Sequence, residues 1–214
     1  MNQPDDAALM QRVREGDDDA FAGIVDRYKD PLVNYVTHLV RSRERAEEVA
    51  QDAFVRLYRS ASQYRHQERL GPYLFRIATN LVVTQVRRER RWSLLVPRLR
   101  SGAHDATPSP DARILVDEIQ RKVQQALARL PLKYRAPIIL YDLEEWSYAD
   151  IAEAIGCRIG TIKSRISRGR DLLHRELAPF WNNDPAEVTQ HERQRSEDAP
   201  SRASAHERVA ALRI

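Results

Sequence analysis

Glycine is scarce in this chain and cysteine nearly absent: 7 Gly and one Cys in 214 residues. Average glycine usage is about 7%, so the chain has roughly half the usual supply for the tight turns that join strands. An all-α fold is expected. The lone Cys157 excludes an intramolecular disulfide framework and a Cys-rich zinc site. Long apolar runs are missing as well. The longest charge-free stretches, Pro31–Val40 and Ile77–Val86, are ten residues each, and a membrane span needs about 20. The opening MNQPDDAALM is acidic and lacks the basic-then-apolar order of a signal peptide, so a soluble, cytoplasmic chain is expected. Signatures of catalysis are absent too. The six His show no HExxH-type spacing, and no GxxxxGK[ST] loop is present. Asp17-Asp18-Asp19 reads as a helix start, because consecutive carboxylates on a helix do not converge. Cys157 reads as a packing residue. No enzymatic activity, no cofactor and no metal are expected.

What the chain does have is unevenly placed charge. The formal net charge is only +4, yet Arg87–Arg100 holds six Arg and one Glu, and Arg158–Arg170 holds five basic residues and no acid. Between them, Asp142–Glu153 holds five acids and no base. Local bias of this kind is the footprint of an anionic partner, and a solvated basic face is the alternative reading.

The apolar pattern is helical. Phe21, Ile24, Val25 and Tyr28 form one stripe and Leu32, Tyr35, Val36, Leu39 and Val40 a second after Pro31. Ala46, Val49, Ala50, Ala53, Phe54, Leu57 and Tyr58 form a third, and Leu74, Ile77, Ala78, Leu81, Val82 and Val86 a fourth. Each follows the 3.6-residue period, and four such helices can bury their stripes as a bundle over 18–96, behind an N-terminal extension, 1–17. Pro97–Pro110 carries three prolines and no periodic apolar set, and reads as a flexible linker over 97–111. The helical period resumes from Ala112 to Leu130 in a second domain, 112–182. There Pro131 opens a helix at a tolerated position, Pro137 interrupts one, and the last helix ends near Pro179. The remainder, 183–214, is charged and polar and reads as a disordered tail with a short helix near His206–Leu212.

The most informative stretch is Ser147–Arg170, SYADIAEAIGCRIGTIKSRISRGR. Ser147 with Asp150 three residues on resembles a capping box. Ile151, Ala152 and Ile155 are the inner face of that helix, and Gly156 can stop it in the left-handed conformation. Ile159, Ile162 and Ile166 mark a second helix. Helix, glycine turn, helix is a helix-turn-helix. Its second helix offers Arg158, Thr161, Lys163, Ser164, Arg165 and Arg168 outward, where such a motif enters the major groove. Arg can pair with guanine, and Lys and Thr can hold phosphate. About five phosphate contacts would give a salt slope near −4 to −5. The acidic run Asp142–Glu153 would repel DNA, so it should face away from DNA or meet a protein partner.

Leu130-Pro131, Trp146–Ile155 and Gly160–Arg165 together resemble region four of bacterial RNA polymerase sigma factors. Ala46–Tyr58 (AEEVAQDAFVRLY) resembles the family's conserved-core helix, and Tyr73–Asn80 (YLFRIATN) followed by Arg87–Arg91 resembles its promoter-melting helix. The two-domain form is that of the extracytoplasmic-function (ECF) group, and the resemblance covers about 18–96 and 112–178.

The resemblance implies a factor that binds core polymerase, recognises the minus-ten and minus-thirty-five promoter elements and helps open the duplex. Glu47, Glu48, Gln51, Asp52 and Arg56 would face a coiled coil of the largest polymerase subunit. Arg76, Asn80, Val83 and Arg87, one stripe on the fourth helix, would read the minus-ten element with the loop Tyr64–Pro72. Tyr64 or Tyr73 would stack on an everted base, worth about 1–3 kcal/mol; core packing is the other reading for both. Opening roughly ten base-pair steps at about 1.4 kcal/mol each costs about 14 kcal/mol, so the chain alone would not melt DNA. The resemblance also implies an anti-sigma partner and a monomer when free. Three features depart from the family: Thr84-Gln85 sits where the family often has a carboxylate or another polar pair, Pro137 falls in a normally smooth helix, and Trp92 begins an unplaced apolar extension, with Trp92 itself expected in the core. The rival reading is a dimeric operator-binding helix-turn-helix regulator, distinguished by its oligomeric state.

Overall fold

A computed structural model describes residues 5–64, 69–95 and 114–181, apart from the side chains of 93–95, 114–120 and 181. The described residues are helical throughout, without a strand. The linker 97–111, the tail 183–214 and its expected short helix lie outside them.

The fold begins earlier than the apolar stripes indicate. Helix α1 (Asp6–Arg14) buries Leu9, Met10 and Val13. It is tied to the next helix by Asp6, which pairs with Arg27 and accepts from the Tyr28 hydroxyl at 2.5 Å. Desolvation first, then that carboxylate, raises the Tyr28 phenol above its ordinary value. The first two sequence stripes are one helix, α2 (Asp18–Val40). Asp17 caps it by accepting from Ala20 N at 3.0 Å, and Pro31 sits inside it. A proline removes one donor, but both stripes stay on one face: Ile24, Leu32, Tyr35, Val36 and Leu39 are all buried. Arg41, with φ of 60°, ends the helix in the left-handed region.

Helix α3 (Arg43–Arg59) starts at Ser42, whose hydroxyl accepts from Arg45 N at 3.2 Å. A 3-10 turn, Ala61–Gln63, follows. Helix α4 (Leu70–Leu95) runs well past the apolar stripe that announces it. Its inner face meets α2 through a buried hydrogen bond at 2.8 Å between the Tyr35 and Thr79 hydroxyls and through the Tyr35 and Phe75 rings, 5.2 Å apart.

After α5 (Ile114–Arg129) comes α6 (Leu132–Ile138), with Pro131 at the N-cap rather than in the first turn. Pro137 is buried in α6, and the helix passes directly into a π-helical turn, Ile139–Leu143. In that wider turn Glu144 N donates to Ile139 O at 3.1 Å, and after it Trp146 N donates to Leu140 O at 2.9 Å. Helix α7 (Tyr148–Ile155) and helix α8 (Ile159–Trp181) complete the described residues, with Pro179 inside α8. Close approach of α6 and α8 depends on Gly169, where a Cβ would lie 2.5 Å from Ile138 Cδ1.

One hydrophobic cluster runs from the bundle into the C-terminal helices. It holds Leu32, Tyr35, Phe75 and Val82 together with Ile139, Leu140, Ile151, Ala154 and Ile162. A second, smaller cluster joins α5, α6 and α8 through Leu127, Leu130, Ile138, Leu173 and Leu177.

Candidate nucleic-acid interface

The helix-turn-helix forms at the expected residues. Ser147 Oγ accepts from Asp150 N at 3.2 Å and donates to Asp150 Oδ2 at 2.7 Å, so the serine and the aspartate fasten the start of α7. Gly156 (φ 72°) ends it, with its N–H on Ala152 O at 2.9 Å. Ile162 and Ile166 of α8 are buried against α7, whereas Ile159 is 46% exposed. The period groups all three, but Ile159 belongs to the first turn, where α8 leaves the core.

On the outward side of α8, Arg158, Lys163, Ser164 and Arg168 are exposed, and Thr161 and Arg165 are half-buried. Ser167 is exposed on this face as well; only its place between Ser164 and Arg168 marks it in the sequence. Lys163 lies over the Tyr148 ring, and Arg165 Nη1 is 3.8 Å from Cys157 Sγ. Half-buried Cys157 therefore supports the turn. Lys133 first, then Arg168, holds the phenol of half-buried Tyr134 below its ordinary value. Such a surface suits a polyanion.

The acidic run does not share this face. Asp142 pairs with Arg170, and Asp150 and Glu153 pair with Arg69, in the chain segment that leads into α4. Asp150 and Glu153 thus meet the N-terminal half of the same chain, and Asp142 meets α8.

A second candidate surface lies between α3 and α4. Arg56, Arg59, Ser60, Gln63, Tyr73, Ile77 and Asn80 line a groove of about 430 Å³. Asn80 and Arg87 are exposed, while Arg76 and Val83 are half-buried on the same helix. Tyr73 is held by a 3.3 Å contact with Ser60 Oγ and by Arg76 over its ring. Tyr64 is buried, edge-on to Tyr73 with centroids 5.4 Å apart, so of the two tyrosines only Tyr73 reaches the groove. Residues 65–68 of the loop lie outside the described residues. Trp92, expected in the core, is 65% exposed: α4 has left the bundle by that point, and its last described turns carry Arg87, Arg88, Arg90 and Arg91 into solvent.

The outer face of α3 presents Glu47, Glu48, Gln51 and Asp52, all exposed, with Glu47 paired to Arg43 at 3.0 Å. Arg56 is exposed too, but it lines the groove with Asn80. Val55 and Tyr58 are exposed on this helix at 46% and 44%, and sequence reasoning did not mark either as part of an outer face. An exposed Val outside the apolar stripe was the available signal.

Residues 24–92 match the family description "Sigma-70 region 2" and residues 120–173 match "Sigma-70, region 4". The chain is 32% identical over 177 residues to the ECF RNA polymerase sigma factor SigW of Bacillus subtilis, across 78% of this chain and 94% of that one. The chain belongs to the sigma-70 family, in its ECF group. The ECF sigma-E factor of Haemophilus influenzae is 33% identical over 183 residues, 82% of this chain and 96% of that relative. Among solved structures, the sigma factor RpoE of Bartonella quintana, crystallised with the anti-sigma factor NepR, superposes with a TM-score of 0.62 at 26% identity, covering 74% of this chain and 96% of that one. CnrH, solved with the cytosolic domain of CnrY, shares the fold at a TM-score of 0.61 and 21% identity, over 81% and 97% of the two chains.

The protein is therefore an ECF sigma factor acting in transcription initiation, with core RNA polymerase and promoter DNA as its partners. Sigma factors are initiation factors and not enzymes, which closes the enzyme reading, and an initiation role takes the place of the operator-binding regulator. Among the described residues no helix is long and apolar enough to cross a membrane.

Proposed function

We propose that this sigma factor reads the minus-thirty-five element with α8 and the minus-ten element with α4, while the outer face of α3 docks on core polymerase. The observation that carries this reading is the exposed basic stripe of α8, Arg158, Lys163 and Arg168 with Thr161, Ser164 and Arg165, on the second helix of a helix-turn-helix. Its N-terminal turns meet base edges in the groove, and the flanking cations hold phosphates. In the groove beside α4, the Asn80 amide pairs with an everted base, Tyr73 stacks on it, and Arg76 and Arg87 hold backbone. Val83 packs beside them, and Tyr64 supports Tyr73 from below. On α3, Glu47, Glu48, Gln51 and Asp52 face the polymerase, joined by Val55, and Arg56 borders both surfaces.

The protein works in the cytoplasm and is a monomer when free. An anti-sigma factor is its regulatory partner, by analogy with the RpoE–NepR complex, whose sigma chain resembles this one along most of its length. Run-off transcription with sigma-free core polymerase on genomic fragments tests the reading. Discrete starts sharing two spaced upstream elements support it. Arg165→Ala should weaken use of the upstream element while core binding persists. Equal loss of both would overturn the assignment of α8.

A further inference from the structure

Two tyrosines of the helix-turn-helix domain stack on each other. Tyr141 lies in the π-helical turn and Tyr148 opens α7. Their rings are nearly parallel, at 12°, with centroids 4.7 Å apart. Each ring also carries a cation of α8: Arg170 lies over Tyr141 at 5.2 Å and Lys163 over Tyr148 at 5.6 Å. Lys163 and Arg170 are two turns apart on one face of the helix, about 10 Å along its axis. The four side chains form a column in the order Arg170, Tyr141, Tyr148, Lys163.

The two ends of the column differ. At one end Arg170 is locked to Asp142, with Nε donating to Oδ2 at 3.3 Å, and the two side chains are only 27% and 11% exposed. At the other end Lys163 is exposed on the face assigned to the minus-thirty-five element. Between them, the Tyr148 phenol is raised above its ordinary value, first by hydrogen bonding to Tyr141, so the hydroxyls are joined as well as the rings. An aromatic face attracts a cation without neutralising it. The Tyr148 ring therefore restricts where the ammonium stands and leaves its charge available, which a carboxylate in that place would not. Lysine is otherwise a flexible stem, and placing it in advance lowers the ordering cost of gripping a phosphate.

We propose that Tyr141 is a positioning residue for DNA recognition: held by Arg170 and Asp142, it fixes the Tyr148 ring, and that ring aims the Lys163 ammonium at one phosphate of the promoter duplex. Tyr141 itself touches no DNA. The inference rests on the assignment of α8 to the minus-thirty-five element. It also gives the π-helical turn a function, since that turn carries both Tyr141 and Asp142.

The test measures binding of holoenzyme, core polymerase with the full chain, across a salt series on ice. The probe is a promoter duplex mapped by the run-off experiment. Lys163→Met should flatten the salt slope by about 0.9, one phosphate contact. Tyr141→Leu should flatten it in the same direction and weaken binding about three- to fivefold. Tyr141→Phe keeps the ring and should stay within about twofold of wild type. Tyr148→Leu removes the platform from α7 instead of the π-helical turn, and should flatten the slope likewise. Tyr141→Leu combined with Lys163→Met should bind no more weakly than Lys163→Met alone, because the tyrosine acts through the lysine; a general loss of packing would add to the lysine's loss instead. Additive losses would overturn the proposal, as would an unchanged slope in either leucine variant. If Arg165→Ala weakens binding while Lys163→Met or Tyr141→Leu does not, only the positioning role falls. If neither Arg165→Ala nor Lys163→Met weakens it, the assignment of α8 falls and the positioning role with it.

Discussion

Nη1 of Arg135 donates to the carbonyl oxygen of Leu39 at 2.8 Å, joining α6 to the last turn of α2. The same guanidinium donates to Leu130 O at 2.8 Å and to Ala128 O, at the end of α5. Burial first, then neighbouring Arg41, holds its pKa below the ordinary arginine value. Carbonyls at helix C-termini lack intrahelical partners and carry partial negative charge, which suits a cation. One planar fork thus satisfies two helix ends.

Arg135→Met keeps much of the side chain's length and removes every donor. Charge-assisted hydrogen bonds are worth about 1.5–3 kcal/mol each, and part of that returns as water reaches the freed carbonyls. A loss of about 3 kcal/mol is expected, or roughly 6–12 °C in Tm. Arg135→Lys should recover less than half of it, because a single ammonium cannot reproduce the fork. A thermal melt of Arg135→Met that coincides with wild type would refute this role.

Gly169 permits the close crossing of α6 and α8. An added Cβ would stand 2.5 Å from Ile138 Cδ1 and 3.2 Å from Tyr134 Cβ. Alanine gains about 1 kcal/mol in helix propensity, and overpacking costs about 1–3 kcal/mol. Ile138 is held among Leu127, Leu130, Leu173 and Leu177 and cannot swing aside freely. The net effect of Gly169→Ala should be a loss of about 1 kcal/mol. Ile138→Val removes the offending methyl, so the double variant should be more stable than the two single effects sum to. Additivity in a denaturation cycle would count against the steric account.

What could be read from sequence divides along a physical line. The Ser147 cap and the Gly156 stop depend on residues within one turn, and both form as expected. The joining of two stripes across Pro31 was not legible, because a proline is compatible with either a break or a tolerated kink. Helix α1 was passed over although Leu9, Met10 and Val13 fall at i, i+1 and i+4; its burial depends on α2. Trp92 is expected in the core and is exposed, because α4 has parted from the bundle by that point, whereas Tyr64, open to either reading, is buried. The charge of the acidic run points to a stretch that faces away from DNA or meets a protein partner. Its partner Arg69 lies far upstream in the chain, and no local pattern names it.

Glu144 follows the π-helical turn and is pushed above the ordinary glutamate value of 4.5 by desolvation. A raised carboxyl pKa penalises the folded state wherever the folded-state group is ionised. The penalty is full above the folded-state pKa and fades as pH falls toward 4.5, where the unfolded chain also takes up the proton. Glu144→Gln should therefore raise Tm at pH 7 and leave it nearly unchanged at pH 4. Melts across that range give the answer, and an equal shift at both pH values would show that the effect is not protonation.

Asn80 is exposed on α4 beside the groove that Tyr73, Arg56 and Arg59 line. Its backbone carbonyl accepts from Thr84 Oγ1 at 2.7 Å, so the helix there is fastened independently of the amide. Asn80→Ala should leave the helix intact and remove only what the amide does. An amide paired to one base edge contributes about 1–3 kcal/mol, small beside the roughly 14 kcal/mol needed to open ten steps. It acts only after a base has left the stack. The open complex should therefore fall about tenfold, while the closed complex, held by α8 and by backbone contacts, changes less than about twofold. Permanganate reactivity of bubble thymines reports the first quantity and a mobility shift on ice the second. If both fall together, Asn80 contributes to docking on the duplex and not to capture of an everted base.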